Sequence, residues 1–191
     1  MPLLPSALHP TRLLEQLHRH PLQTYAAKRL VAGTALVALG VAFEMLSEHS
    51  AEMRREIGDW EEGRTFALGV LPEGPSIAVR KQGGRLVYLG RGDHEAPLRI
   101  LFKNIDSALL VLTGLLAAHT AFAERRAVVH GAIDDVMAAN RAMAVVVKFL
   151  FPGFMLGSLT KRVPVFSRDE LKLKARLYAT IGPALVRGFS R

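Results

Sequence analysis

The chain has 191 residues, 50% of them hydrophobic and 22% charged, with 25 Lys and Arg against 17 Asp and Glu for a net charge of +8, and no cysteine. These proportions exclude a disordered chain, which needs low hydrophobicity and high charge, and the lack of cysteine excludes a disulfide scaffold, a thiol nucleophile and a cysteine zinc site. At roughly 100 to 200 residues per domain, one domain with extensions is expected rather than two independent units.

Pro2, Pro5, Pro10 and Pro21 punctuate the start, which reads as an arm with helical turns only between Thr11 and His20. From Leu22 to about Ile57 no proline occurs and good helix formers dominate, which predicts one long helix, bent near Gly33 or Gly40. Its uncharged run, Leu30 to Phe43, is 14 residues long. That is short of the ~18 to 20 that span a bilayer, so a buried or membrane-facing helix is expected rather than a signal or anchor. Glu44, Glu48, Glu52 and Glu56 then recur every fourth residue along one stripe. A metal or acid site would need converging His or Asp, and none does by sequence, so a solvated face is the expectation.

Between Arg64 and Lys103 the pattern switches to short strand-like runs, TFALGV, PSIAVRKQ, RLVYLG and LRILFK. Gly83-Gly84 reads as a tight hairpin and Gly90 to Pro97 as a longer loop. Two apolar helical stretches follow, Ile105 to Leu112 and Leu116 to Glu124, and then a fifth strand, Ala127 to His130, closed by Gly131 as a backbone hinge. Ile105 to Leu116 is apolar on nearly all sides and must be enclosed, by protein core or by a ligand tunnel. In the helix predicted from Ile133 to Phe151, Ile133, Val136, Met137, Asn140, Met143, Ala144, Val147, Leu150 and Phe151 share a face that should cover the sheet, and Pro152-Gly153 stops it.

The last segment, from Lys161 to Arg191, holds eight basic residues against Asp169 and Glu170. Arg168, Lys172, Lys174 and Arg176 accompany Leu171, Leu173, Leu177, Tyr178 and Ile181. Such a basic amphipathic helix suits either an anionic membrane surface or packing on the domain with its charges in water. Catalysis finds little support. Ser107, His119 and Asp106 lack a nucleophile elbow, His94, His119 and His130 lack metal-ligand spacing, and Gly90-Arg91-Gly92 is too short for a phosphate loop. Asp93-His94-Glu95 reads as a solvated turn.

The order of elements, together with FKNIDSALLVLTGLLAAHTAFAERRAVVHGAIDDVMA, resembles the sterol carrier protein-2 (SCP-2) family. Its pattern is an apolar helix ending in leucine, a hydroxyl or small residue and glycine, then a helix with an aromatic, then a basic apolar strand closed by glycine. Leu112-Thr113-Gly114, Phe122, Arg125-Arg126, Val128-Val129 and Gly131 stand at those positions. The resemblance implies an α+β fold with a five-stranded, mainly antiparallel sheet covered by helices and added N- and C-terminal helices. It divides the chain into an N-terminal helical extension (1–44), a lipid-binding domain (45–152) and a basic C-terminal helical extension (153–191). It implies a non-enzymatic carrier of a fatty-acyl, phospholipid, sterol-like or polyprenyl ligand in a hydrophobic tunnel. Bacterial ubiquinone-biosynthesis accessory factors share this domain and the paired arginines.

The tunnel walls are expected from Leu109, Leu112, Leu116 and Phe122 on one side and Val136, Met137, Asn140 and Met143 on the other, with Asn140 available to a ligand head. Arg168, Lys172, Lys174 and Arg176 are the expected membrane-surface residues. A lipid or fatty-acyl ligand, an anionic membrane surface and a protein of a lipid pathway are the expected partners, in the cytoplasm or at the membrane periphery, with no cofactor and no metal. A nucleic-acid binder would rest on charge alone and ranks second. An enzyme acting on a lipophilic substrate ranks third.

Overall fold

The computed structural model of the chain describes residues 24–159 and 164–188, so the proline-punctuated arm lies outside the described residues. In chain order the elements are α1 (Tyr25–His49), α2 (Ala51–Glu56), β1 (Thr65–Val70), β2 (Ser76–Gln82), β3 (Arg85–Arg91), β4 (Leu98–Phe102), α3 (Ile105–Leu112), α4 (Ala118–Ala123), β5 (Ala127–His130), α5 (Ile133–Leu150), α6 (Gly153–Leu159) and α7 (Arg168–Gly188).

The single helix expected to reach Ile57 is two helices. Ser50 turns extended (φ −101°, ψ 121°), and its Oγ accepts the Met53 N–H at 3.3 Å, capping α2. The glutamate stripe is therefore divided between two axes, and its carboxylates go to separate basic partners. Glu48 meets Arg85 at 2.7 Å, Glu52 meets Lys148 at 2.8 Å and Glu56 meets Arg141 at 3.1 Å.

The five strands form one mixed sheet in the order β3-β2-β1-β4-β5, parallel only between β1 and β4 and antiparallel elsewhere. The expected hairpin is present: Gly83 and Gly84 take φ of 61° and 74°, the pair of positive values a primed two-residue turn demands. Glu62 holds that turn by accepting both glycine N–H groups, at 2.8 and 2.9 Å. Strand alternation turns Phe66, Leu68, Val70, Leu98, Ile100 and Phe102 into the core, leaving Ala67, Gly69, Arg99 and Leu101 on the other face.

α1 lies across the core side of β2 and β3, and Phe43 meets Phe66 edge-on with ring centroids 5.9 Å apart. By length and composition α1 could cross a membrane, with mean hydropathy 1.9 over its most apolar window, but 67% of that window is buried inside this fold. The division expected after residue 44 falls within α1, where Phe43, Met45 and Leu46 belong to one core cluster.

Periodicity predicts that α5 lies on the sheet, and here the structure corrects the sequence reading. α1 occupies that place, and α5 packs instead on α1, α2 and α7. α1 is apolar on more than one face and needs cover on both sides, so α5 closes over its outer side with Ala139, Ala142, Val145, Val146 and Phe149. Ile133 and Met137, assigned to the covering face, are 72% and 52% exposed. Pro152-Gly153 ends α5 as expected, and the chain then resumes as α6.

Candidate functional site

Because α5 rests on other helices and not on the sheet, a space remains between its free flank and β1, β4 and β5. This cavity measures about 470 Å³ and is partly open to solvent. The sheet contributes Leu68, Ile100, Phe102 and Ala127 as one wall, and α1 contributes Leu39. Opposite stand Asn140, Met143, Ala144 and Val147 of α5, followed by Phe151 and Leu159 at the α6 end. Val111, Leu112, Leu116 and α4, with Ala118, His119, Ala121 and Phe122, complete the lining.

Local structure explains how these side chains arrive. Asn104 caps α3 by accepting the Ser107 N–H at 2.8 Å, and α3 ends at Leu112, where the Thr113 hydroxyl donates back to the Leu109 carbonyl at 2.6 Å. Gly114 then turns with φ 74° under Phe151 and Met155. Leu116 thus reaches the cavity from a connecting turn and not from the helix that carries Leu112. Arg125 takes φ 56° at the turn into β5. α5 starts without a side-chain cap at Ala132, and its first-turn Asp135 pairs with Arg64, tying α5 to the start of β1.

Of the eight expected wall residues, Leu112, Leu116, Phe122, Asn140 and Met143 line the cavity. Leu109 and Val136 pack against the core cluster instead, and Met137 is on the outside of α5. The difference on α5 lies along its axis: the residues that line the cavity start at Asn140, a turn after Val136 and Met137. Sequence reading missed Leu68, Ile100, Phe102 and Ala127, because a strand's inward residues look the same whether they meet helix or open space. His119 and Asn140 are the polar side chains among the lining residues, and both are solvent-exposed within the open cavity. Among the described residues no group of three or more His, Asp and Glu is placed to hold a metal ion.

The four basic residues assigned to a membrane surface separate into two kinds. Arg168, Lys172 and Arg176 are exposed. Lys174 is turned into the domain: its Nζ donates to the Phe151 carbonyl at 2.6 Å and the Lys148 carbonyl at 3.2 Å, and it sits 4.5 Å from the Phe166 ring centroid. Burial lowers the Lys174 ammonium below the usual lysine range. It therefore serves the C-terminus of α5, where helix carbonyls need donors, rather than an outer surface.

Fold and cavity together define an α+β protein that encloses an apolar space between a mixed sheet and helices. No family model and no curated protein sequence matches the chain. Solved structures do. It is similar to a crystal structure of sterol carrier protein 2, at 22% identity with a TM-score of 0.45, covering 58% of this chain and 91% of that one. It is similar to a conserved hypothetical protein of Thermus thermophilus described as possibly a sterol carrier protein, at 22% identity and TM-score 0.44, covering 58% and 82%. It is also similar to the ubiquinone synthesis protein UbiJ-SCP2, at 15% identity and TM-score 0.40, covering 61% and 96%. At these identities and scores the likeness is one of element order and assigns neither ligand nor activity.

Proposed function

We propose that the chain is a non-enzymatic carrier that holds a long apolar lipid in this cavity and presents it at an anionic membrane surface. The observation that carries the reading is the cavity itself: about 470 Å³, walled by aliphatic and aromatic side chains apart from His119 and Asn140. Its size falls within the roughly 300–1,000 Å³ of small-molecule sites. Each methylene transferred from water into such walls contributes about 0.8 kcal/mol before binding costs, so an acyl or prenyl chain can bind without an elaborate polar site. Asn140 and His119 are available to a polar head.

Mass spectrometry of lipid extracted from the purified protein tests the reading. A co-purifying lipid is expected, and its loss is expected in Met143→Trp, which fills the cavity from α5, and in Leu112→Trp, which fills it from α3. A folded protein that retains no lipid after incubation with vesicles, or folded tryptophan variants that keep their lipid unchanged, would overturn it. Arg168, Lys172 and Arg176 support the membrane part, each exposed basic residue contributing about 1 kcal/mol at an acidic surface. Co-sedimentation with acidic vesicles, weakening with salt and absent with neutral ones, is the expected result.

A further inference from the structure

A second cavity, of about 450 Å³, lies at one end of the sheet face turned away from the helices, between the turn at 71–75, the loop after β3 and the start of α1. Arg29 of α1, Arg91 of β3 and Arg99 of β4 line it, three arginines brought to one cavity from elements far apart in sequence. Two of them are neighbours: the Arg91 Nη2 lies 2.9 Å from where a Cβ would stand on Gly33, one helical turn after Arg29. The floor is made of small residues, Ala67, Gly69, Ser76 and Gly92, which leave the concavity open to a compact group.

Two independent observations give this cavity a chemical preference. Arg29 and Arg99 have no ion-pair or hydrogen-bond partner among the described residues, although Glu73 and Asp93 line the same cavity. His94 lines it as well, and its Nε2 is buried with no hydrogen-bond partner. Unpartnered guanidinium forks match the oxygens of a tetrahedral oxyanion in both charge and geometry, and a buried ring nitrogen without a partner calls for one.

We propose that this cavity binds a phosphate group, held by Arg29, Arg91 and Arg99, with His94 donating from Nε2. Glu73 and Asp93 offset two of the three positive charges, so binding is saturable, of modest affinity and sensitive to salt. Leu68 is the one described residue bordering both this cavity and the apolar one, and the two are separated by β1. The phosphate site therefore stands or falls independently of the lipid reading.

Titration of the protein with inorganic phosphate at constant ionic strength tests the proposal, followed by calorimetry and by ³¹P resonance. A parallel arm uses vesicles of phosphatidylcholine with and without phosphatidate. Each arm compares the native chain with the Arg29→Gln/Arg99→Gln double variant, with His94→Phe, and with an Arg54→Gln/Arg55→Gln control on exposed basic residues outside both sites. A loss of about tenfold or more in affinity is expected for the double variant and a smaller loss for His94→Phe, with the control unchanged. Saturable binding of free phosphate with that pattern supports the site with a soluble ligand. The same pattern seen only on phosphatidate supports it with a lipid headgroup. No binding in either arm, or a folded double variant whose affinity matches the native chain in both arms, overturns it.

Discussion

Gly131 takes φ 143°, and a Cβ added there would lie 2.9 Å from Leu98 Cδ1 and 3.1 Å from the Pro97 carbonyl oxygen. Both a side-chain-forbidding dihedral and a crowded neighbour stand against any larger residue. Gly131→Val is expected to destabilise by roughly 1–3 kcal/mol or more, read as a fall in the denaturation midpoint. An unchanged midpoint would remove the strand-to-helix corner. Glu44 makes the opposite forecast. Burial raises its carboxyl above the usual 4.5, with like charge from Glu48 adding and the Tyr88 backbone N–H and Arg85 opposing. A glutamate whose folded value is raised weakens the fold once it ionises, so stability should fall as pH rises through that value. Glu44→Gln should therefore melt higher than the native chain at pH 7, and the gap should close as pH falls to 4.5. A gap that persisted there would show that the gain has another cause. Gly131 was legible as a glycine closing an apolar strand. Glu44 was not, because its burial comes from β3, about forty residues away.

At the scale of elements, α7 shows how a basic helix is held by a domain. It opens with a capping box: Ser167 Oγ accepts the Glu170 N–H at 3.2 Å, and the Glu170 carboxylate accepts the Ser167 N–H at 2.8 Å. The same carboxylate meets Lys148 at 2.6 Å, while Tyr178 donates to the Leu150 carbonyl at 2.8 Å beside the two bonds of Lys174. Side chains of α7 thus satisfy the carbonyls that α5 leaves open at its end. Leu177, fully buried in the common core, anchors the contact, and Leu177→Ala should cost about 2–5 kcal/mol in chemical denaturation. Hydrogen bonds from Lys148, and then from Ser167, hold the Glu170 carboxyl below 4.5. Its stabilisation is present above that value and is lost as pH falls through the lowered one. Glu170→Gln should accordingly be less stable than the native chain at pH 7, with the two melting curves meeting only well below pH 4.5. Curves that stay parallel to the lowest pH would disconnect Glu170 from α7 docking. The helix and its basic face were readable from periodicity. Which lysine turns inward was not, since Lys172 and Lys174 differ in sequence only by two positions and in space by the end of α5.

For the whole molecule, the five strands, their hairpin and the two helices before β5 could be read from alternation, glycines and apolar runs, because each signal is local. The stacking order of helices on the sheet could not. α1 and α5 both carry a stripe able to cover β-strands, and competition between them is settled only by the assembled core. That outcome creates the cavity, so its sheet wall escaped sequence reading while Leu112, Leu116, Phe122, Asn140 and Met143 did not. Cavity and core make different forecasts for truncation. Leu112→Ala, at the border of the open space, is expected to cost less than Leu36→Ala, which is fully buried in α1 and should cost about 2–5 kcal/mol. Equal costs, measured by denaturant titration, would place Leu112 in close-packed core.

The contact between α1 and α7 also orders events during synthesis. The first described helix leaves the ribosome long before the last, and domains settle as chain becomes available. Until α7 emerges, the flank of α1 that later receives Leu177 and Ile181 has no cover. A chain truncated just before Arg168 should therefore hold a formed sheet yet remain bound by chaperones that recognise apolar helix, and a chain carried on through Gly188 should be released.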